Sequence, residues 1–170
     1  MIIKVDRNYL EINSIKDLKY SKRPNNNCNL YLVNPPDFQL NKFFYKQIGK
    51  DHRWIDRLTW NDQKWINYIN NLKVKTYILK DKDNLVGYYE MILNHNKKSC
   101  EIAYFGILKE YFGKKYGSFL LSEALAKPLA NGVDRVWLHT CSLDHVNALK
   151  NYKSRGMKIY KTETINLEIN

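Results

Sequence analysis

The spacing of polar and apolar positions changes along the chain, and each change marks an element. Ile2–Val5 and Asn29–Val33 are short β-prone runs that predict strands. Arg23-Pro24-Asn25-Asn26-Asn27 and Asn34-Pro35-Pro36-Asp37 read as loops, because proline and asparagine favour turns over regular ladders. Leu40, Phe43, Phe44 and Ile48 fall near one face of a helix over Leu40–Ile48. Asn61 offers an N-cap for a second helix through Asn70 that carries Trp65, Ile66 and Ile69. Strands follow at Val74–Leu79 and Leu85–Leu93, joined by a turn across Lys80–Asn84. His95-Asn96-Lys97 then turns the chain into a strand over Ser99–Leu108.

A helix from about Lys114 to Ala130 has Leu120, Leu121, Ala124, Leu125 and Ala126 as its apolar side. Pro128 should kink or close it, since proline removes a helical hydrogen bond. The remaining elements are a strand over Asp134–His139, a helix over Asp144–Arg155 ending at Gly156, and a strand over Met157–Ile165. This order predicts one α/β domain with a mixed sheet. Ser99–Leu108, the long helix and Asp134–His139 form a βαβ unit, so those two strands should run parallel through a right-handed crossover.

Length and composition narrow the function classes. The chain has 170 residues, 44% hydrophobic and 26% charged, and neither repeats nor low-complexity linkers divide it. That size supports a full core without disulfides or metal. No apolar run approaches a membrane span, and Met1–Asp6 has no signal-peptide core, so a cytoplasmic protein is expected. Cys28, Cys100 and Cys141 are far apart and form no CxxC pair, and the four histidines have no i, i+4 ligand spacing, so no metal site is expected. A net charge of +11 draws polyanions, whether phosphorylated cofactors, acidic lipids or nucleic acid. A solvated lysine surface explains the same number, and no nucleic-acid motif accompanies it.

The chemistry concentrates where the fifth predicted strand meets the long helix. Leu108-Lys109-Glu110-Tyr111-Phe112-Gly113-Lys114-Lys115-Tyr116-Gly117-Ser118 places glycines at a tight turn before a helix N-terminus. Unpaired amides and the positive end of the helix dipole suit a phosphate there, and Lys114 and Lys115 add charge. A plain strand-to-helix turn with a solvated lysine pair has the same appearance.

This segment resembles motif A of the GNAT superfamily of N-acetyltransferases, written Q/R-x-x-G-x-G/A. Phe112 stands in the Q/R position, Lys115 in the first Gly position and Gly117 in the last. A second segment, His145-Val146-Asn147-Ala148-Leu149-Lys150-Asn151-Tyr152-Lys153-Ser154-Arg155-Gly156-Met157, resembles motif B, N-x-x-A-x-x-x-Y-x-x-x-G-F. Ala148, Tyr152 and Gly156 match it, while His145 replaces Asn and Met157 replaces Phe. Trp54-Ile55-Asp56-Arg57, Tyr104-Phe105-Gly106 and His139–His145 resemble a branch of uncharacterised bacterial GNAT proteins.

The resemblance implies one GNAT-like domain over residues 1–170, with a mostly antiparallel sheet, a central parallel strand pair and flanking helices. Acceptor-side helices would span about 38–71 and the CoA-binding core about 99–157. It implies acetyl-CoA as co-substrate, direct transfer to an amine in a ternary complex, and a possible homodimer. Gly106, Ile107, Leu108, Gly113, Lys114, Lys115, Tyr116, Gly117 and Ser118 would hold the cofactor. His145 would hydrogen-bond the cofactor or backbone in place of the family Asn.

An amine with a pKa near ~10.4 is only ~0.04% neutral at pH 7, so a base must take its proton. Glu101 is the candidate base, eleven positions before Phe112 as in histone-acetylating members, and strand alternation would place it beside Ala103, Phe105 and Ile107. Glu90 on the neighbouring strand is the rival. Tyr152 would protonate the departing thiolate, with little mismatch between ordinary values of ~10 and ~8.5. Cys141 with a histidine is a weaker candidate nucleophile. Tyr45, Trp54, Asp56 and Arg57 would line the acceptor site, Asp56 holding an amine and Arg57 a carboxylate or phosphate. Trp60 and Trp65 fit the helix–sheet core as well. The departures in motif A keep open a non-catalytic acyl-CoA sensor, or a basic nucleic-acid-binding module.

Overall fold

Two neighbouring parallel strands, β5 (Ser99–Ile107) and β6 (Arg135–Cys141), pair only over Ser99–Glu101 and Arg135–Trp137 and then diverge. Their separation opens a crevice in the middle of the sheet. The computed structural model describes residues 1–168. The remaining strands are β1 (Ile2–Ile12), β2 (Cys28–Leu32), β3 (Val74–Asp81), β4 (Asn84–Asn94) and β7 (Lys158–Glu168). All seven form one sheet in the order β2-β3-β4-β5-β6-β1-β7, with β5–β6 the parallel pair and every other neighbour antiparallel.

The strand predicted at Ile2–Val5 is more than twice that long. β1 pairs with β6 through Arg7–Ile12 and with β7 from Ile2 to Glu11, so partners on both sides carry it past Asp6, Arg7 and Asn8. Local pattern could not supply those partners, and the polar residues concealed the strand.

Four helices cover the sheet: α1 (Phe38–Gly49), α2 (Asp62–Ile69), α3 (Tyr116–Ala130) and α4 (Ala148–Ser154). Asp37 caps α1 by accepting from Gln39 N–H, and Asn61 caps α2 by accepting from Lys64 N–H. Pro128 lies near the end of α3, where its carbonyl accepts from Asn131 and Val133 as the helix closes. The last helix is shorter than predicted, because Asp144 binds back to the end of β6 and leaves 142–147 outside the helix. Asp144 Oδ2 accepts from Thr140 Oγ1 at 2.5 Å and from Cys141 N–H at 2.9 Å.

The larger core lies between the sheet and α3, where Leu120, Leu121, Leu125, Val136 and Leu138 are buried. The other face carries Phe44 and Ile48 of α1 against Ile78 and Tyr88, with the Phe44 and Tyr88 rings stacked 4.9 Å apart. A β-bulge sits between these faces on β5. Met91 pairs with Ile102 but Glu90 pairs with Tyr104, which leaves Ala103 as the extra residue. The bulge reverses the alternation, so Glu101 shares the α1 face with Tyr104 and Gly106. The expected company of Phe105 and Ile107 lies on the α3 side, in contact with the larger core.

Candidate active site

A cleft of about 1360 Å³ runs from the splayed strands to the loop between α1 and α2. At one end, residues 113–118 turn into α3. Gly113 and Lys115 both take left-handed backbone, φ 75° and 67°, and a Cβ at Gly113 would meet nothing within 4 Å. Among the described residues, no backbone N–H from Gly113 to Ser118 has an acceptor, and the first helical bond of α3 is Phe119 N–H to Lys115 C=O. Such a run of free amides at a helix start is an anion cradle. Lys115 is exposed and lines the cleft. A Cβ on Gly117 would come no closer than 3.7 Å to Ile107 and 3.9 Å to Asn151, so the open face there is not needed by the protein's own packing.

The end of β5 supplies the middle of the cleft. Leu108 N–H is spent on Val86 C=O at 2.8 Å and Leu108 does not line the cleft, so it cannot donate to a ligand as expected. By the alternation of the antiparallel ladder, Phe105 and Ile107 then aim their N–H groups toward the side that β6 has vacated. Gly106 is small for a structural reason: a Cβ would lie 2.6 Å from Ile48 of α1. Lys114 stands with its ammonium 5.9 Å from the Tyr111 ring and outside the cleft lining. Tyr116 anchors the turn, its hydroxyl donating to Asp81 and accepting from Asn25.

Tyr152 of α4 lines the cleft with its ring edge-on to Phe105 at 6.3 Å, and no described residue hydrogen-bonds its hydroxyl. Burial, with Asp144 adding to it, pushes that hydroxyl well above its ordinary value. It therefore keeps its proton as a donor, and the near match to a thiol expected from ordinary values does not hold in the empty cleft. Asn151 of the same helix donates to Gly117 C=O at 3.2 Å, which couples α4 to the cradle. His145 accepts from Asn147 N–H at its Nδ1, 3.1 Å away, and its ring packs against Phe112 at 4.8 Å and His52 at 5.9 Å.

Glu101 also lines the cleft. Desolvation raises its carboxyl above the ordinary value, and the Arg57 charge opposes that rise. The rival, Glu90, is fully buried outside the cleft lining, with Arg57 Nη1 at 2.9 and 3.1 Å from its two oxygens. Arg57 is 7% exposed, its guanidinium 4.2 Å from the Tyr68 ring and 4.3 Å from Tyr104. Arg57 lines the cleft as expected, but its guanidinium is already held by Glu90. Tyr45 is buried too, accepting from Arg57 N–H at 3.0 Å, and does not reach the cleft. Trp54 and the exposed Asp56 do line it.

Burial raises the Cys141 thiol, and Asp144 adds to the rise, so a thiolate nucleophile is disfavoured. Among the described residues, no group of three or more His, Cys, Asp or Glu side chains is placed to hold a metal, and no helix is long and apolar enough to cross a membrane.

A run of free amides at a helix start, a splayed parallel pair and a tyrosine-bearing helix occur here in one order along one cleft. The sequence profile described as the Acetyltransferase (GNAT) family matches residues 38–157. The chain belongs to the GNAT acetyltransferase family. Among curated proteins none matches the sequence. The fold is similar to a GCN5-related N-acetyltransferase from Sphaerobacter thermophilus, with TM-score 0.72 and 14% identity over 95% of this chain and 50% of that one. It is similar to a GCN5-related N-acetyltransferase from Kribbella flavida, with TM-score 0.63 and 13% identity over 97% of this chain and 58% of that one. An aminoglycoside acetyltransferase from an uncultured soil metagenomic sample aligns at TM-score 0.65 and 11% identity, over 78% of this chain and 90% of that one. This GNAT chain thus spans only half to three-fifths of the first two proteins' length. At such identities these likenesses show the fold alone.

Five cleft residues come from the terminal strands β1 and β7, to which the sequence assigns no site role: Ile3, Arg7, Ile165, Leu167 and Glu168. The alternation of Ile3, Val5, Arg7 and Tyr9 on one strand face was the available signal, and it was cut short where the strand was ended at Val5.

Proposed function

We propose that the chain is an acetyl-CoA-dependent N-acetyltransferase that moves an acetyl group to an amine by direct transfer in a ternary complex. The observation that carries this reading is the row of unsatisfied amides at residues 113–118, facing the mouth of the β5–β6 crevice. Residues 113–118 would hold the diphosphate, and Phe105 and Ile107 N–H would meet the pantetheine arm and the thioester oxygen. Acetyl-CoA supplies an acyl group activated as a thioester.

Glu101 accepts the proton that the amine loses, directly or through one water. Its raised carboxyl suits that task better than an ordinary surface glutamate would. Tyr152 donates a hydrogen bond to the sulfur as the C–S bond breaks and the N–C bond forms. The hydroxyl keeps its proton, and the departing thiolate takes one from solvent.

Calorimetry with CoA and a thiol-release assay over a panel of amines test the proposal. Binding that weakens with salt, together with amine-dependent thiol release, is the expected result. Binding without turnover on any amine would point to a sensor, and absence of CoA binding would remove the whole reading.

A further inference from the structure

The cleft contains a guanidinium whose buried Nε has no partner in the protein. Arg7 lines it from β1, between Cys141 of β6 on one side and Glu163 of β7 on the other. The carboxylate facing it in the register is already engaged: Glu163 accepts from Tyr9 Oη at 2.6 Å and lies 3.0 Å from Lys161 Nζ. Among the described residues Arg7 forms no ion pair, and its buried Nε has no hydrogen-bond partner. An unpartnered buried donor on a charged group is costly, and such an atom in a ligand cleft is accounted for by a ligand that accepts from it.

We propose that Arg7 recognises a carboxylate on the acceptor, and that the acceptor is an amino acid or similar amino carboxylate with an apolar side chain. The inference rests on the N-acetyltransferase reading and adds the substrate class. Three observations support it. First, register places Arg7 beside Cys141, which lies on the same face of β6 as Trp137 by alternation. Trp137 is in turn the β5 partner of Glu101, so guanidinium and base share one sheet face. An acceptor held by its carboxylate at Arg7 therefore has its amine on the side of the sheet where Glu101 waits.

Second, the wall next to Arg7 is apolar. Ile3 and Leu167 are cross-strand partners, and Ile165 lies two residues along on the same face. Across the cleft the α1–α2 loop presents Ile55 and Leu58, 47% and 53% exposed. Third, of the guanidines lining the cleft, Arg57 is tied to Glu90 and Arg53 is exposed to solvent, whereas Arg7 carries a buried donor without a partner. Its planar Nε/Nη edge matches a carboxylate bidentately.

The test compares acceptors that differ in one group each. Purified protein with acetyl-CoA is assayed on leucine, leucinamide, 3-methylbutylamine, glycine and spermidine. Leucine should show the highest kcat/KM, with loss of the carboxylate costing about 10-fold or more. Arg7→Gln and Arg7→Lys should raise the KM for leucine by a similar factor. They should leave the acetyl-CoA KM and the weak rate on leucinamide unchanged, with folding checked by circular dichroism.

Equal use of leucine and leucinamide, or preference for spermidine, would overturn the inference while leaving the acetyltransferase standing. Preference for a phosphorylated amine over leucine would also overturn it. If no amine turns over, leucine and leucinamide are titrated against the CoA complex by calorimetry. Selective leucine binding would sustain the Arg7 assignment, and its absence would end it.

Discussion

Arg57 and Glu90 form a buried ion pair, with Nη1 within 3.1 Å of both carboxylate oxygens and side chains 7% and 0% exposed. The pair sits under the α1–α2 loop, inside a box of aromatic rings that includes Tyr68, Tyr104 and Trp60. It anchors the loop that forms one side of the cleft to β4, and its consequence is first for stability.

Glu90→Ala leaves a buried guanidinium without a counter-charge, which costs about 3–5 kcal/mol. For a chain of this size the melting temperature should fall by on the order of 10 °C. The double change Arg57→Met with Glu90→Leu should lose much less, because it removes both desolvated charges together. Thermal denaturation of the three proteins would show this order, and a double variant as unstable as the single would contradict it.

Gly117→Ala separates folding from binding. The added methyl meets only ordinary contacts at 3.7 and 3.9 Å, and alanine gains up to about 1 kcal/mol of helix propensity. The melting temperature should stay level or rise, while CoA affinity falls by about 10-fold as the methyl obstructs the amide cradle. Calorimetry on the variant measures both sides, and unchanged affinity would exclude this turn as the cradle.

Glu101 links activity to stability through its raised carboxyl. Between its ordinary and its folded pKa, the folded state binds more protons than the unfolded chain, so stability falls as pH rises through that window. Glu101→Gln should therefore raise the melting temperature at neutral pH, and the gain should vanish below the ordinary glutamate pKa. The same variant should lose most kcat on the alkaline side of that window, where the wild-type carboxylate is charged. A melting temperature that does not change with pH relative to wild type would remove the buried carboxylate from the account.

Tyr152→Phe should reduce kcat by roughly 100-fold, in the range for removing a hydrogen-bond donor to developing charge, with a smaller change in the acetyl-CoA KM. Because burial holds the hydroxyl above its ordinary value, wild-type turnover should show no loss from Tyr152 ionisation at mildly alkaline pH. The reverse split, a large KM effect with kcat preserved, would make Tyr152 a binding residue instead.

Gly106→Ala tests the packing of α1 on β5. Its Cβ would fall 2.6 Å from Ile48 Cγ2, an overpacking that costs about 1–3 kcal/mol. Ile48→Ala in the same protein should restore part of the loss.

Much of this was legible in the chain because it is encoded locally. Gly113 and Gly117 mark a turn before a helix, Asn61 caps α2, and the spacing of Ala148, Tyr152 and Gly156 marks α4. The misreadings arose where a distant partner decided. Arg57 does line the cleft, but no local pattern shows that Glu90, thirty-three positions away, holds its guanidinium. Glu101 was placed beside Phe105 and Ile107 by simple alternation, which the bulge at Ala103 reverses.

By itself the sequence determined the element order, the glycine-marked turn before α3 and the family, because hydrophobic period, turn chemistry and motif spacing are properties of contiguous residues. The tertiary structure alone decided that β1 enters between β6 and β7. That insertion brings Ile3 and Arg7 to the cleft and leaves the buried Arg7 Nε without a partner. Strand neighbours are chosen by backbone hydrogen bonding across more than a hundred residues, a pairing no window along the chain contains.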